Sequence, residues 1–339
     1  MNPTRKLYQT MKRRAIVKGR SISMTTAGLR KSAITGGIAT ALILAGAAIT
    51  AAQAKTVKVE LTAKEVTVPV DNEGHTMAAW TYNGHVPGPL IRATEGDTIE
   101  FTLKNDAANK KSHSIDMHSA SADVLTEFAS IKPGETKTFS YVPEHAGVFF
   151  YHCGSDPMIQ HIARGMIGAV IIDPKDPNAM PKADREYVLI EHQIFENPED
   201  VDSMMANKWK RDAFNAVPFQ YDPVHDEHAT QTLEAKPGER VRIYMVNAGP
   251  NEFSGFHPIA GIWDRIYPSG NPKNVMVGMQ NYTLAPGDAA TFDLISPKEG
   301  AYALVNHSMR AALSGAIAII MFSEKADPTM GHGDKILVR

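Results

Sequence analysis

From residue 55 onward the chain is written as short β-favouring runs cut by Pro/Gly turns: Thr56–Thr67, Thr98–Leu103, Thr136–Val142, Val148–His152 and Ile167–Ile172, and later Arg240–Val246 and Ala289–Ile295. Strands at this spacing predict β-sandwiches rather than βαβ units. The pattern also repeats. Residues 95–105 (EGDTIEFTLKN) and 237–247 (PGERVRIYMVN) are each a turn followed by an alternating strand. Further on, Lys132-Pro133-Gly134-Glu135 leads to His145-Ala146-Gly147-Val148 and then His152-Cys153. Ala285-Pro286-Gly287-Asp288 leads likewise to Lys298-Glu299-Gly300-Ala301 and then Asn306-His307. An internal repeat of this kind predicts an all-β chain of two tandem sandwiches. The expected linker lies near residues 173–184, interrupted by Pro174, Pro177 and Pro181, which divides the chain into 55–175 and 176–339. Residues 196–229 are polar and poor in strand signal, and read as a long insertion holding one short helix.

Before residue 55 the pattern changes. Basic residues are scattered through 5–31, an apolar run extends from Ile38 to Ala52, and Ala52-Gln53-Ala54 precedes Lys55. That order reads as an export signal cleaved after Ala54, with Met1 or Met24 as the start, and the apolar run is too short and alanine-rich for a membrane span. A periplasmic mature protein without a membrane span is expected. The net charge of −2 carries no basic stripe, which argues against a nucleic-acid partner.

Export sharpens the meaning of the one cysteine. Cys153 cannot form an intrachain disulfide, so a buried structural thiol or a metal ligand are its two readings. Its neighbours favour the second. His113, then Cys153-x7-His161-x4-Met166, bring together two imidazoles, a thiolate and a thioether, the soft ligand set of a blue-copper site with a weak axial methionine. A structural zinc site would instead use four Cys or His ligands at short spacings.

Two further histidines sit at odd offsets from this set. His118 is five residues past His113, and His152 directly precedes Cys153, so strand alternation turns both away from the first metal and toward a second location. Two imidazoles are too few for a catalytic metal, which typically has three protein ligands and an open position. The second repeat has no cysteine but retains His307 in Leu304-Val305-Asn306-His307, a candidate third ligand. His257, in Phe256-His257-Pro258-Ile259, lies where the first repeat carries the His113 segment; service in a shared site and a structural role are both open for it. The remaining histidines fit no site.

The motifs His113-x2-Asp116-x-His118, Tyr151-His152-Cys153, His161-x4-Met166, Phe256-His257-x-Ile259 and Asn306-His307 make the chain similar to the copper-containing nitrite reductases over roughly residues 60–325. The resemblance implies two cupredoxin-like Greek-key sandwiches and two coppers per subunit. His113, Cys153, His161 and Met166 would bind the type 1 copper. His118, His152 and His307 would bind the type 2 copper, with His307 from a neighbouring subunit of a homotrimer. It further implies nitrite as substrate, Asp116 and His257 as the catalytic acid-base pair, and Ile259 shaping the nitrite pocket. A cytochrome c or small cupredoxin would be the electron donor. Electrons would pass between the coppers through Cys153-His152 in a dissimilatory, nitric-oxide-forming reaction. Two rivals remain: a two-domain multicopper oxidase, which normally uses several His-x-His pairs that this sequence lacks, and a one-copper electron carrier.

Overall fold

The structure, a computed structural model, describes residues 54–337; the expected signal segment falls almost wholly outside them. Strands in the first half are β1 (Thr56–Pro69), β2 (Thr76–Tyr82), β3 (Ile91–Thr94), β4 (Thr98–Asn105), β5 (Asp116–Met117), β6 (Thr136–Tyr141), β7 (Gly147–His152) and β8 (Ile167–Asp173). They form two four-stranded sheets, ordered β2-β1-β4-β6 and β3-β8-β7-β5. The second half holds β9 (Arg185–Ile194), β10 (Arg211–Phe214), β11 (Leu233–Ala235), β12 (Arg240–Gly249), β13 (Ser254–Ile259), β14 (Trp263–Pro268) and β15 (Met276–Met279), followed by β16 (Tyr282–Leu284), β17 (Ala289–Ile295), β18 (Gly300–Asn306) and β19 (Ile317–Phe322). These make a six-stranded sheet, β10-β9-β12-β17-β14-β15, and a five-stranded sheet, β11-β19-β18-β13-β16. Three short helices interrupt the strands: α1 (Met158–Ala163), α2 (Val201–Met205) and α3 (Met309–Ala312).

The repeated turns share one mechanism. In Lys132-Pro133-Gly134-Glu135 the Glu135 N–H donates to the Lys132 carbonyl at 3.0 Å, and in Ala285-Pro286-Gly287-Asp288 the Asp288 N–H donates to Ala285 at 3.0 Å. Proline presets φ at the second position, while Gly134 (φ +83°) and Gly287 (φ +81°) take the left-handed conformation a type II turn needs at the third.

Alternation sorts the apolar residues into three cores. Tyr151, Cys153, Val170 and Ile172 face the interior of the first sandwich. Their neighbours Val148, Phe150, Ile167, Ala169 and Ile171 face the other way and pack against Val188, Ile190, Tyr244 and Val246 of the second. Tyr187, Leu189, Ile243 and Met245 then line the second interior. The sheet carrying β7 and β8 is thus apolar on both faces, which explains the nearly unbroken run Ile-Gly-Ala-Val-Ile-Ile in β8. Each large side chain buried there stabilises the contact by about 1.5–3 kcal/mol relative to exposure.

Two expectations need correction. His113 does not lie within a strand: it makes a single bridge with Ile131, and the chain then changes partner so that Asp116 pairs with His152. The segment 196–229 contains the expected short helix, α2, but it also supplies β10, which extends the six-stranded sheet by pairing with β9. Its Trp209, Phe214 and Tyr221 are buried in the second core. Strand β10 is only four residues long and begins with two charged residues, so alternation had too little length to register.

Candidate metal centre

At the end of β7 alternation separates two neighbours. Cys153 points into the first sandwich, while His152 shares the outer face with Phe150, their rings 4.8 Å apart. Beyond Cys153 the chain makes the helix α1 before returning as β8. His161 rides on the last turn of α1 and is buried, and Met166 follows the helix with no exposed surface. Two backbone hydrogen bonds close this loop: the Met166 N–H donates to the His161 carbonyl at 3.1 Å, and the Cys153 N–H to the Met166 carbonyl at 3.2 Å.

The side chains of His113, Cys153 and His161 converge, with all three donor atoms within 4.8 Å of one another. The two Nδ1 atoms are 3.3 Å apart, and Cys153 Sγ lies 3.1 Å from His161 Nδ1. The Ser114 N–H donates to the sulfur at 3.2 Å, a contact that stabilises thiolate charge. On its far side His113 Nε2 faces Glu65 Oε1 at 3.5 Å, and Glu65 is held by the N–H groups of Lys110 and Lys111 at 2.9 and 2.8 Å. Trp80 covers the cluster, its ring 4.4 Å from that of His161 and 5.6 Å from that of His113.

The protonation chemistry fits a soft cation. Metal binding requires neutral imidazoles and a deprotonated thiol. Burial pushes the His161 pKa down to about 3, with the neighbouring His113 and Arg164 charges adding to it, and burial also lowers His113. Burial raises the Cys153 thiol above its ordinary value, so a thiolate there calls for a cation bound against it. Two nitrogens, one sulfur and a buried thioether suit copper.

A second cluster lies behind the first. Asp116, His118 and His152 also bring one donor atom each within 4.8 Å, and His118 Nε2 is 3.3 Å from His152 Nε2. The His152 Nδ1–H donates to the Cys153 carbonyl at 3.0 Å, which fixes the tautomer and leaves Nε2 free to ligate. Asp116 Oδ2 stands 3.7 Å from His152 Nε2 and is partly exposed.

Proteins of known kind resemble this chain. The copper-containing nitrite reductase of Neisseria gonorrhoeae is 32% identical over 283 residues, covering 80% of this chain and 70% of that one. The chain belongs to the copper-containing nitrite reductases. The solved copper nitrite reductase of Nitrosomonas europaea is 64% identical, covers 84% of this chain and 100% of that one, and superposes with a TM-score of 0.83. The copper-containing nitrite reductase of Thermus scotoductus is 28% identical, covering 81% of this chain and 63% of that one, with a TM-score of 0.73. A multicopper oxidase family model matches residues 46–177.

In this nitrite reductase chain the second-repeat histidines form a pair of their own. The His257 and His307 rings pack edge to face, 5.1 Å apart. The β13–β18 ladder explains the pairing: His307 N–H donates to the Gly255 carbonyl at 2.7 Å, so His307, His257 and Ile259 stand on one outward face. His257 Nδ1–H donates to the Gln280 carbonyl at 2.6 Å, and Ile259 and His307 are exposed. Among the described residues neither histidine joins the His118–His152 group within one chain. Of the other histidines, His75 pairs with Asp71 at 2.8 Å and His225 with Asp222 at 2.6 Å.

Sequence reasoning missed the supporting residues. Glu65, Trp80 and Arg164 around the first cluster carry no motif. Neither does Glu191, a fully buried carboxylate that accepts hydrogen bonds from the Asn306 amide at 2.6 Å and the Ser254 hydroxyl.

Proposed function

We propose that this chain reduces nitrite to nitric oxide, nitrite + e− + 2 H+ → nitric oxide + water, as a periplasmic homotrimer carrying one type 1 and one type 2 copper per subunit. The observation that carries the reading is the opposite orientation of adjacent residues: Cys153 enters one donor cluster and His152 another. His113, Cys153, His161 and Met166 hold the type 1 copper; His118 and His152 hold the type 2 copper together with His307 of a neighbouring subunit. The exposed His257–His307 face supports this sharing, because it offers ligating groups that find no third donor among the described residues of its own chain. The coppers supply one-electron transfer at the first cluster and nitrite binding and reduction at the second.

The chain's own residues do the rest. The Cys153–His152 peptide is the covalent link between the clusters. Asp116, beside His152 and open to solvent, hydrogen-bonds the substrate oxygen and passes it a proton. His257 relays the second proton; its Nδ1–H is held by Gln280, which leaves Nε2 directed outward for exchange with water. Ile259, on the same face two residues on, narrows the pocket against larger anions. A cytochrome c or small cupredoxin delivers the electrons. Residues 55–175 and 176–339 act as the two domains, and residues 1–54 as the export signal.

Nitric oxide release from nitrite with a reduced donor, measured alongside copper analysis, tests the reading. Two coppers per chain and nitric oxide production are expected. One copper per chain would favour an electron carrier, and oxygen consumption with a phenolic substrate would favour an oxidase. Asp116→Asn and His257→Ala are expected to keep both coppers and lose most turnover; near-unchanged kcat in either would remove that residue from the proton path.

A further inference from the structure

The segment 196–229, outside the repeat, reaches back to the first metal cluster through one side chain. Glu199 Oε1 pairs with Arg164 Nη1 at 2.5 Å. Arg164 lies three residues past His161, and its guanidinium carbon sits 4.2 Å from the centre of the Trp80 ring. Trp80 also packs against His161, its ring tilted by 55° at 4.4 Å between ring centres. The result is a series of contacts through carboxylate, guanidinium, indole and imidazole, from the exposed Glu199 to the buried cluster. Helix α1 is tied to the same segment a second time, since Gln160 Nε2 donates to the Pro198 carbonyl at 2.9 Å and to Glu199 Oε2 at 3.2 Å.

The charges in this series are unevenly placed. The Arg164 side chain is 7% exposed whereas Glu199 is 67% exposed. Water screens the carboxylate far more than the guanidinium. Arg164 Nε has no hydrogen-bond partner among the described residues, and its Nη1 pairs with the Glu199 carboxylate. The other charged groups acting on the cluster are Glu65, at 3.5 Å from His113, and Lys111 near His161.

We propose that Arg164 is a positioning residue that holds Trp80 against His161 and raises the reduction potential of the copper bound there, and that Glu199 moderates it. A cation in a low-dielectric site penalises the more positive, oxidised metal and so favours reduction. The proposal rests on the type 1 copper reading of this cluster. The second sandwich thereby sets the energy at which electrons enter the first.

Spectroelectrochemical titration of the holoenzyme tests it, following the visible thiolate–copper band. If the wild-type protein shows no such band, the copper reading itself fails; the remaining outcomes judge the inference. Arg164→Leu is expected to lower the midpoint potential with the band retained, and Arg164→Lys, which keeps the charge, to stay closer to wild type. Glu199→Gln is expected to raise the potential by a smaller amount, and to have no effect once Arg164 is Leu, because the two act as one pair. An Arg164→Leu potential equal to or above wild type, or an Arg164→Lys potential as low as Arg164→Leu, overturns the proposal. Should Arg164→Leu lose copper or fail to fold, Glu199→Gln at the surface decides alone: an unchanged or lowered potential refutes it.

Discussion

The two sandwiches answer the same question differently at equivalent positions. Cys153 comes six residues after Gly147 in β7, and Asn306 six after Gly300 in β18. The Cys153 N–H donates to the Met166 carbonyl at 3.2 Å, and the Asn306 N–H to the Ala316 carbonyl at 3.1 Å. Asp116 pairs with His152 across the first ladder, whereas Phe256 pairs with Asn306 in the second. Continuing the first ladder by one step matches His113 with Ser254 and Asp116 with His257. The proposed acid-base pair thus occupies one structural position, written once in each repeat.

In the first sandwich these positions converge as candidate metal donors. In the second the same convergence ends in Glu191, which takes the Ser254 hydroxyl and the Asn306 amide. Even the sulfur's partner is preserved: Ser114 N–H donates to Cys153 Sγ at 3.2 Å, and Gly255 N–H to Asn306 Oδ1 at 3.1 Å. Ala63, opposite Asn105 in the first sandwich, stands where Glu191 stands opposite Asn247 in the second. A ligand cavity cannot simply lose its metal, because the donors left behind are buried and must be satisfied. In the second sandwich the Glu191 carboxylate satisfies them.

The largest test of this comparison converts one site toward the other. Cys153→Asn, the second-sandwich residue, is expected to abolish the visible band and donor-driven nitrite reduction while leaving one copper per chain, read by absorption and metal analysis. Next in size, Glu191→Ala strands two buried donors at about 1–3 kcal/mol each. The melting temperature should fall, and copper bound by the neighbouring His307 should be lost before the visible band is. A retained second copper at wild-type affinity would show that Glu191 does not support the His257–His307 pair.

Smaller is the effect of pH. Burial, with the Glu252 charge adding to it against the hydrogen bonds, raises the Glu191 pKa to about 7 from 4.5, and Asp212 beside it is raised too. The folded state therefore holds protons that the unfolded state releases between pH 4.5 and about 7, and stability falls as pH rises through that window. Glu191→Gln should flatten the decline, so its melting temperature gains on wild type toward pH 7; parallel curves would deny the raised pKa. Least of all, copper loading of the first cluster alone, in a His307→Ala variant between pH 5 and 7, should release one proton from Cys153 and none from His161. Calorimetry in buffers of differing ionisation enthalpy measures that number.

What the sequence disclosed follows this division. The first cluster was legible because three of its four ligands lie within one loop, residues 153–166, whose spacing is itself the signal. The second was legible only as halves: His118 and His152 by alternation, His307 and His257 by their place in the repeat. Glu191 was invisible, since Asn306 lies 115 residues away and Ser254 63, and a lone carboxylate in an apolar strand carries no pattern. Arg164 and Glu199 escaped for the same reason, and α1, six residues long, was too short for a helical period to emerge.

The sheet that is apolar on both faces has one more consequence, for solubility. Val148, Phe150, Ile167, Ala169 and Ile171 pack with Val188, Ile190, Tyr244 and Val246 of the second sandwich, and with Val86, Leu90 and Ile162 of the first. A fragment ending in the proposed 173–184 linker would keep every proposed type 1 ligand yet expose that face to water as a contiguous sticky patch. Such a fragment should precipitate rather than serve as a small soluble electron carrier. The second sandwich is, before anything catalytic, the first one's permanent chaperone.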